Sequence, residues 1–395
     1  MVDMTSDTRT NPDDKRPVVL EVRVVSESGG GPDKTILNSP RFFDAAGYRV
    51  ICAYMHPPDD PGYEEIRRKA ASLRAPLRSI PDRGPIDWRV ASILLSLCRA
   101  EGVSIWHGHD YKSNALGLLL RPFYPMRLVT TVHGWVRHTK RTKLYYAIDR
   151  ICLRRYERVI CVSEDLRERC LEGGVAEDRC SLVENGIDTD AYPPPIGVEE
   201  AKVRLGLPPN RLVIGAAGRL SPEKGFDLLI RSADRLLGAG LDFGLVIAGE
   251  GGEEARLRDL IEGLGRGDRI RLLGYRSDMP EVFRAMDVFA LSSHREGLPN
   301  VLLEAMATSL PIVATRIAGI PRLVADGQNG LMVPAGSVDA LVDALGRLLA
   351  DPGLRGRLGR EGRTTVEGRY GFTSRVWKIK AIYDKLLAAG PPPRA

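Results

Sequence analysis

Five short apolar runs in the second half of the chain, Leu212 to Ala217, Leu245 to Ala248, Ile270 to Leu273, Val288 to Leu291 and Ile312 to Ala314, each lead straight into a polar or glycine-rich loop. Runs of this length without polar alternation mark strands buried on both faces, which in soluble proteins means a parallel sheet covered by helices. The intervals between them fit helical crossovers, so the series reads as a doubly wound α/β domain. The loops are Gly218-Arg219, Gly249-Glu250-Gly251, Gly274-Tyr275, Ser292-Ser293 and Thr315-Arg316. Each follows a strand, so all fall on the carboxyl edge of the sheet, where open α/β sheets bind ligands. The first half repeats the arrangement with Val18 to Val25, Tyr48 to Tyr54, Val103 to Trp106, Leu128 to Val132, Val159 to Val162 and Ser181 to Val183, and with helical stretches such as Val90 to Arg99 and Ser113 to Leu120 between them.

A chain of 395 residues exceeds what one core usually supports, so two domains are expected. Residues 1–16 are polar and read as a disordered tail, 17–190 as the first domain, 191–198 as a Pro-rich hinge, 199–372 as the second domain, and 373–389 as a last helix. Three consecutive prolines after Tyr192 stiffen the hinge against helix or sheet, and Val376, Ile379, Ile382 and Leu386 line one face of the last helix. With 43% hydrophobic and 27% charged residues, this is ordinary soluble material. No apolar run reaches the roughly 18 residues of a membrane span, and the start lacks the apolar core of a signal peptide, so a cytoplasmic location is expected. Six cysteines without a Cys-x-x-Cys pair argue against a zinc ribbon and a redox motif.

The net charge of +6 is unevenly spread: Arg121 to Arg158 holds ten Lys or Arg against Asp149 and Glu157. No RNA-binding or helix-turn-helix signature accompanies it, which argues against nucleic acid. An anionic membrane surface suits the segment better, making the protein peripheral at the inner membrane face. The competing reading is a solvated helix face. The expected helix from Thr142 to Tyr156 has Leu144, Tyr145, Ile148, Ile151 and Cys152 at core spacing.

The most chemically suggestive stretch is Glu296 to Glu304, where Pro299 suits the first turn of a helix. One glutamate then lies in the loop and the other one turn into the helix. Between them, free N–H groups near Asn300 and Val301 make an anion site. Carboxylates repel an anion, so their partners should be neutral hydroxyls, and the combination suggests a nucleotide-sugar. In the first half, the glycine-rich turn Ser26 to Pro32 follows the first strand, and His107, His109 and His133 each lie just past a strand end. His107-Gly108-His109 has a spacing that metal ligands use, but no acidic cluster or third histidine is close in sequence, so no metal is expected.

Glu296 to Glu304, closing on Glu304-Ala305-Met306-Ala307, resembles the donor-site motif of retaining glycosyltransferases with the two-domain GT-B fold, family 4, or glycosyl transferases group 1. Gly218 to Gly225, Ala248 to Gly251, Glu184 to Asp188 and Val132-His133-Gly134 look like the same family's landmarks, in its order. The resemblance implies two Rossmann-like doubly wound α/β domains facing a cleft, the first on the acceptor side and the second binding the nucleotide-sugar, with a C-terminal helix crossing back to the first. It implies a hexosyltransferase moving a sugar from a nucleoside-diphosphate sugar to a glycan or lipid-linked acceptor in polysaccharide, exopolysaccharide or glycolipid biosynthesis. It further implies retention of configuration and no metal or cofactor, and no Asp-x-Asp pair stands in a suitable strand-end loop. Catalytic residues by this resemblance are His133, Arg219, Lys224 and Glu296. Donor-binding residues are Gly30, Gly31, Asn185, Gly218, Gly249, Glu250, Tyr275, Gly297, Leu298, Pro299, Asn300, Val301 and Glu304, and His109 and Lys112 are placed on the acceptor side.

Within that scheme Arg219, Lys224 and the helix end at Asn300 face the leaving diphosphate, Glu304 the ribose and Glu296 the donor sugar. His133 polarises or positions the sugar during front-face attack. The chain departs from the pattern at Thr308-Ser309, where the family usually has a glycine before Leu-Pro, and at Arg322, where a glutamate commonly follows Gly-Ile-Pro. A nucleotide-sugar epimerase on the same fold and a non-catalytic nucleotide-sugar sensor are the alternatives.

Overall fold

The computed structural model describes residues 14–26, 29–134, 140–296 and 299–390. They form two compact units, Met1–Gly186 with Thr373–Ala395, and Ile187–Phe372.

The first unit is built on seven strands: β1 (Val18–Val24), β2 (Arg49–His56), β3 (Leu77–Pro81), β4 (Val103–Gly108), β5 (Arg127–Val132), β6 (Arg158–Cys161) and β7 (Cys180–Leu182). All pair in parallel, in the order β3-β2-β1-β4-β5-β6-β7. The connection leaves β1 in one direction and returns to its other side as β4, so the switch point lies between these two strands. Val19, Leu20 and Val22 of β1 are fully enclosed because helices cover both faces. β3 has no counterpart in the sequence reading: it is a half-buried edge strand, and an edge does not need the continuous apolar run that betrays a central strand.

The second unit has six parallel strands: β8 (Leu212–Ala217), β9 (Phe243–Ala248), β10 (Ile270–Gly274), β11 (Val288–Leu291), β12 (Ile312–Thr315) and β13 (Leu331–Val333). Their order is β10-β9-β8-β11-β12-β13, with the switch between β8 and β11. The first five coincide with the five apolar runs to within two residues at each end.

The change from one unit to the other falls at Gly186–Ile187, ahead of the 191–198 segment expected as the hinge. Ile187 is tied into the second unit by its N–H to the Tyr370 carbonyl (2.8 Å) and by its own carbonyl, which accepts from Phe372 N–H (2.7 Å). Tyr192 then packs edge-on against Phe283, ring centroids 6.0 Å apart, so an aromatic anchor outweighs the proline signal.

The helix Phe372–Ala388 joins the first unit from Thr373 onward. Val376, Ile379 and Leu386 are buried as its periodicity requires, but Tyr383, fully buried, completes the stripe in place of half-buried Ile382. Tyr383 stacks on Phe43 at 5.5 Å, and the Tyr48 hydroxyl donates to Asp384 at 2.7 Å.

Ser309 gives the family departure a physical meaning. Its φ is 62°, in the left-handed region that costs a side-chain-bearing residue about 1 kcal/mol or more and glycine little. The turn after the Glu304 helix keeps a glycine conformation without the glycine.

Candidate active site

In the second unit the polar residues gather at the β8/β11 switch. After β8, Gly218 leads to a single helical turn, Pro222–Lys224, and Gly225 at φ 60° opens the helix Phe226–Gly238. A Cβ on Gly225 would collide with the Ser292 carbonyl, so glycine lets the β8 and β11 exit loops touch. Across that contact the Ser292 hydroxyl donates to the Lys224 carbonyl (3.1 Å) and His294 N–H to the Glu223 carbonyl (2.8 Å). The side chains follow: Lys224 Nζ lies 2.6 Å from Glu296 Oε1, which also accepts from the Ser293 hydroxyl at 2.7 Å. The two groups assigned to diphosphate and sugar are therefore paired with each other. Arg219 is mostly exposed, 3.7 Å from Glu223.

The β9 exit nests on the β8 exit. Gly218 N–H bonds the Ala248 carbonyl, Leu220 N–H the Glu250 carbonyl and Gly249 N–H the Gly274 carbonyl, at 2.8–3.0 Å. A Cβ on Gly249 would strike the Gly218 carbonyl, so these two glycines serve loop nesting as well as any ligand. Glu250 is exposed and Tyr275 half-exposed at the same edge. Pro299 precedes the helix Asn300–Ala307, and Glu304 on that helix is buried at 3% exposure. The Tyr192 hydroxyl hydrogen-bonds Glu304, and burial first, then that carboxylate, pushes the tyrosine's ionisation upward. Val301 is half-buried, while Gly297 and Leu298 lie outside the described residues.

In the first unit a second polar cluster forms at the β1/β4 switch. His107 pairs in register with Glu21 of β1. Its Nδ1 is 2.5 Å from the Tyr383 hydroxyl and its Nε2 2.7 Å from the Thr131 hydroxyl. His109 stacks on His107 with centroids 4.6 Å apart, and His109 Nδ1 lies 3.0 Å from His133 Nε2. Arg375, buried on the last helix, acts electrostatically on Glu21 and all three histidines. Burial drives His107 down to about 3 and holds His109 and His133 well below the usual histidine range, with neighbouring cations assisting. All three imidazoles are neutral at pH 7.

Glu21, His107 and His109 bring potential metal-ligand atoms within 4.8 Å of one another. The fit to a divalent cation is poor: both ring nitrogens of His107 are already hydrogen-bonded, and the Arg375 charge stands against the cluster.

The two residues expected on the acceptor side are both engaged within the fold. Lys112 does not offer a free cation, because its ammonium is held at 2.6 Å by both Asp82 carboxylate oxygens and at 2.5 Å by the Gly84 carbonyl. His109 is 5% exposed and faces other histidines. Gly30 caps the helix Gly31–Ala45, and its N–H is taken by Asp33 at 2.6 Å, so a carboxylate already occupies part of that helix's anion-binding end. Asn185 belongs to the first unit, with its side-chain oxygen buried and without a hydrogen-bond partner among the described residues.

The sequence also matches known families. Residues 197–365 match the family model described as glycosyl transferases group 1, and residues 29–191 match glycosyltransferase family 4. The chain is 31% identical over 311 residues to an Escherichia coli UDP-Gal:alpha-D-GlcNAc-diphosphoundecaprenol alpha-1,3-galactosyltransferase, covering 76% of this chain and 80% of that one. This chain belongs to that glycosyltransferase family. The glycosyltransferase is also 29% identical over 292 residues to the lipopolysaccharide core biosynthesis mannosyltransferase LpsB of Rhizobium meliloti, covering 72% of this chain and 80% of LpsB. In fold it resembles HepE of Anabaena, solved in complex with UDP, at a TM-score of 0.77 and 18% identity over 93% of this chain and 100% of HepE. The fold is GT-B.

Glu21, Arg375 and Tyr383 of this glycosyltransferase escaped sequence reasoning. The available signal was a glutamate set between Leu20 and Val22 in a strand whose only other charged residue is Arg23. Burial raises the Glu21 carboxyl to about 8 against the opposing pull of Arg375. A carboxyl raised in the folded state stabilises below its unfolded value and loses that contribution as pH rises through the folded one. The histidines, depressed on folding, act the other way, and only below their unfolded value near 6.5. Within this cluster the Glu21 effect therefore stands alone between pH 6.5 and 8. The unfolding free energy is expected to fall across that window by up to about 1.4 kcal/mol per pH unit, read as a falling melting temperature, and Glu21→Gln to flatten the fall. An equally steep fall in the variant contradicts the assignment.

Proposed function

We propose that this glycosyltransferase moves a hexosyl group from a nucleoside-diphosphate sugar to a glycan or lipid-linked acceptor in lipopolysaccharide or related polysaccharide assembly, with retention of configuration and without a metal. The observation that carries the reading is the Lys224–Glu296 pair at the β8/β11 switch, with Arg219 beside it on the same loop. When a donor enters, its diphosphate competes with Glu296 for the Lys224 ammonium, and the released carboxylate accepts from sugar hydroxyls. The acceptor oxygen attacks the anomeric carbon on the face the diphosphate leaves. The departing phosphate oxygen takes the acceptor proton, giving the glycosylated acceptor and a nucleoside diphosphate. Arg219 and Lys224 supply the positive charge that a divalent cation supplies elsewhere. The likeness to the Escherichia coli galactosyltransferase and the Rhizobium meliloti lipopolysaccharide core mannosyltransferase supports a sugar-transfer reaction on a glycan or lipid-linked acceptor.

Incubation with a panel of sugar nucleotides in chelator tests this. Nucleoside diphosphate release that rises with added acceptor supports transfer. An isomerised sugar nucleotide points to the epimerase, stabilisation by nucleotide without turnover points to the sensor, and activity restored by magnesium overturns metal independence.

The protein also docks, in this reading, on an anionic membrane surface through the helix Lys140–Leu153. That helix buries Asp149, Cys152 and Leu153, with Asn114 donating to Asp149 at 2.8 Å. The buried face is thus rotated from the expected one, and Ile148 (39% exposed) and Ile151 (50%) stand outside beside Arg150 and Arg155. Apolar and basic side chains together favour a lipid interface. Arg121 and Arg127 contribute less, being paired with Glu157. Among the described residues no helix is long and apolar enough to cross a membrane. Flotation with anionic vesicles is expected at low salt and to be lost on changing Lys143, Arg150, Arg154 and Arg155 to Gln. Binding indifferent to both salt and these changes rules the surface out.

A further inference from the structure

The histidines at the β1/β4 switch form a cluster in which one hydrogen-bonded pair is left with an unpartnered nitrogen on each ring. His107 is fixed at both nitrogens, by Tyr383 from the last helix and by Thr131 from β5. His109 lies against the His107 ring at 20° to it. Its main chain is also held, its N–H bonding the Ser113 hydroxyl at 3.0 Å and the Val22 carbonyl at 3.2 Å. His109 is thus a fixed ring, and its Nδ1 holds His133 Nε2. Two ring nitrogens remain without a hydrogen-bond partner among the described residues, His109 Nε2 and His133 Nδ1.

One proton joins His109 to His133, and its position decides which of those two nitrogens carries an unpaired N–H. An enclosed N–H without an acceptor is costlier than a bare lone pair. His109 is the more enclosed of the two residues, which favours a lone pair there, while the positive charges of Arg23 and Arg375 act on both rings. We propose that His109 is a positioning residue: its Nδ1–H donates to His133 Nε2, which fixes His133 as the Nδ1–H tautomer and leaves that N–H to meet a hydroxyl of the donor sugar. The Tyr383–His107–Thr131 frame behind it keeps the His109 ring from turning. The proposal rests on the reading of His133 as a sugar-contacting residue, but its first test does not.

That test uses the full-length protein labelled with 15N at histidine, in long-range proton–nitrogen spectra at neutral pH, the His133 signals being those missing from His133→Gln. The expected result is an Nδ1–H tautomer at His133. His109→Leu is expected to release it toward the Nε2–H form that free neutral histidine prefers. His109→Asn keeps the Nδ1–H form, because the asparagine amide places a donor where Nδ1–H stood. An Nε2–H tautomer in the unmodified protein overturns the proposal, and this spectrum decides even where the Leu variant does not fold. With a donor and acceptor in hand, His109→Leu should lower kcat by about tenfold or more while the donor KM stays nearly constant. His109→Asn should recover most of that loss. Equal impairment of folded Asn and Leu variants reduces His109 to packing, whereas a correct tautomer in a protein without transfer activity retains the proposal's geometry and removes the glycosyl-transfer reading.

Discussion

Lys224→Ala is expected to lower the turnover rate roughly 100-fold or more, as does the loss of one preorganised donor to a developing negative charge in other enzymes. The structure adds a second consequence. Glu296 is 8% exposed at its side chain and loses its cation in this variant, so the β11 exit loop keeps a buried carboxylate whose Oε1 retains the Ser293 hydroxyl. Arg219→Ala should cost turnover to a similar degree with little structural effect, because Arg219 is largely exposed and its contact with Glu223 is a surface pair. Steady-state rates beside thermal melts separate the two contributions. Full activity in both variants removes the charge clamp.

The second large effect concerns the glutamates. Glu304→Gln is expected to weaken binding of the bare nucleoside diphosphate by about tenfold or more, in line with the 1.5–3 kcal/mol that hydrogen bonds to charged groups contribute. Glu296→Gln should leave that affinity nearly intact and depress transfer. The difference follows from position: Glu304 is set on a helix and buried against Tyr192, while Glu296 lies in a loop and shares its oxygen between Lys224 and Ser293. Calorimetry with the nucleoside diphosphate decides, and equal affinity losses in the two variants contradict the division of roles.

Much of this protein is legible before any folding because its strands lie in the middle of parallel sheets. A central parallel strand must be apolar on both faces, and its exit loop must carry whatever meets a ligand, so strand and site are written side by side in the sequence. β8 with Gly218 and Arg219, and β11 with Ser293 and Glu296, show this local coupling. β3 and β13 were not legible, the first being a half-buried edge and the second only three residues long.

The sequence by itself therefore determined the two doubly wound sheets, the strand-end positions of the polar residues, and the Glu296–Glu304 spacing across a helix start. The tertiary structure decided which charges neutralise one another: Lys224 with Glu296, and Lys112 with Asp82. It also brought together Glu21, His107, His109, His133, Arg375 and Tyr383, which come from β1, from the ends of β4 and β5, and from the last helix. Hydrophobic patterning is a property of neighbouring residues and survives in one dimension. A hydrogen bond between His107 and a tyrosine 276 positions away does not, because only the packing of the last helix on the first unit brings the two within reach.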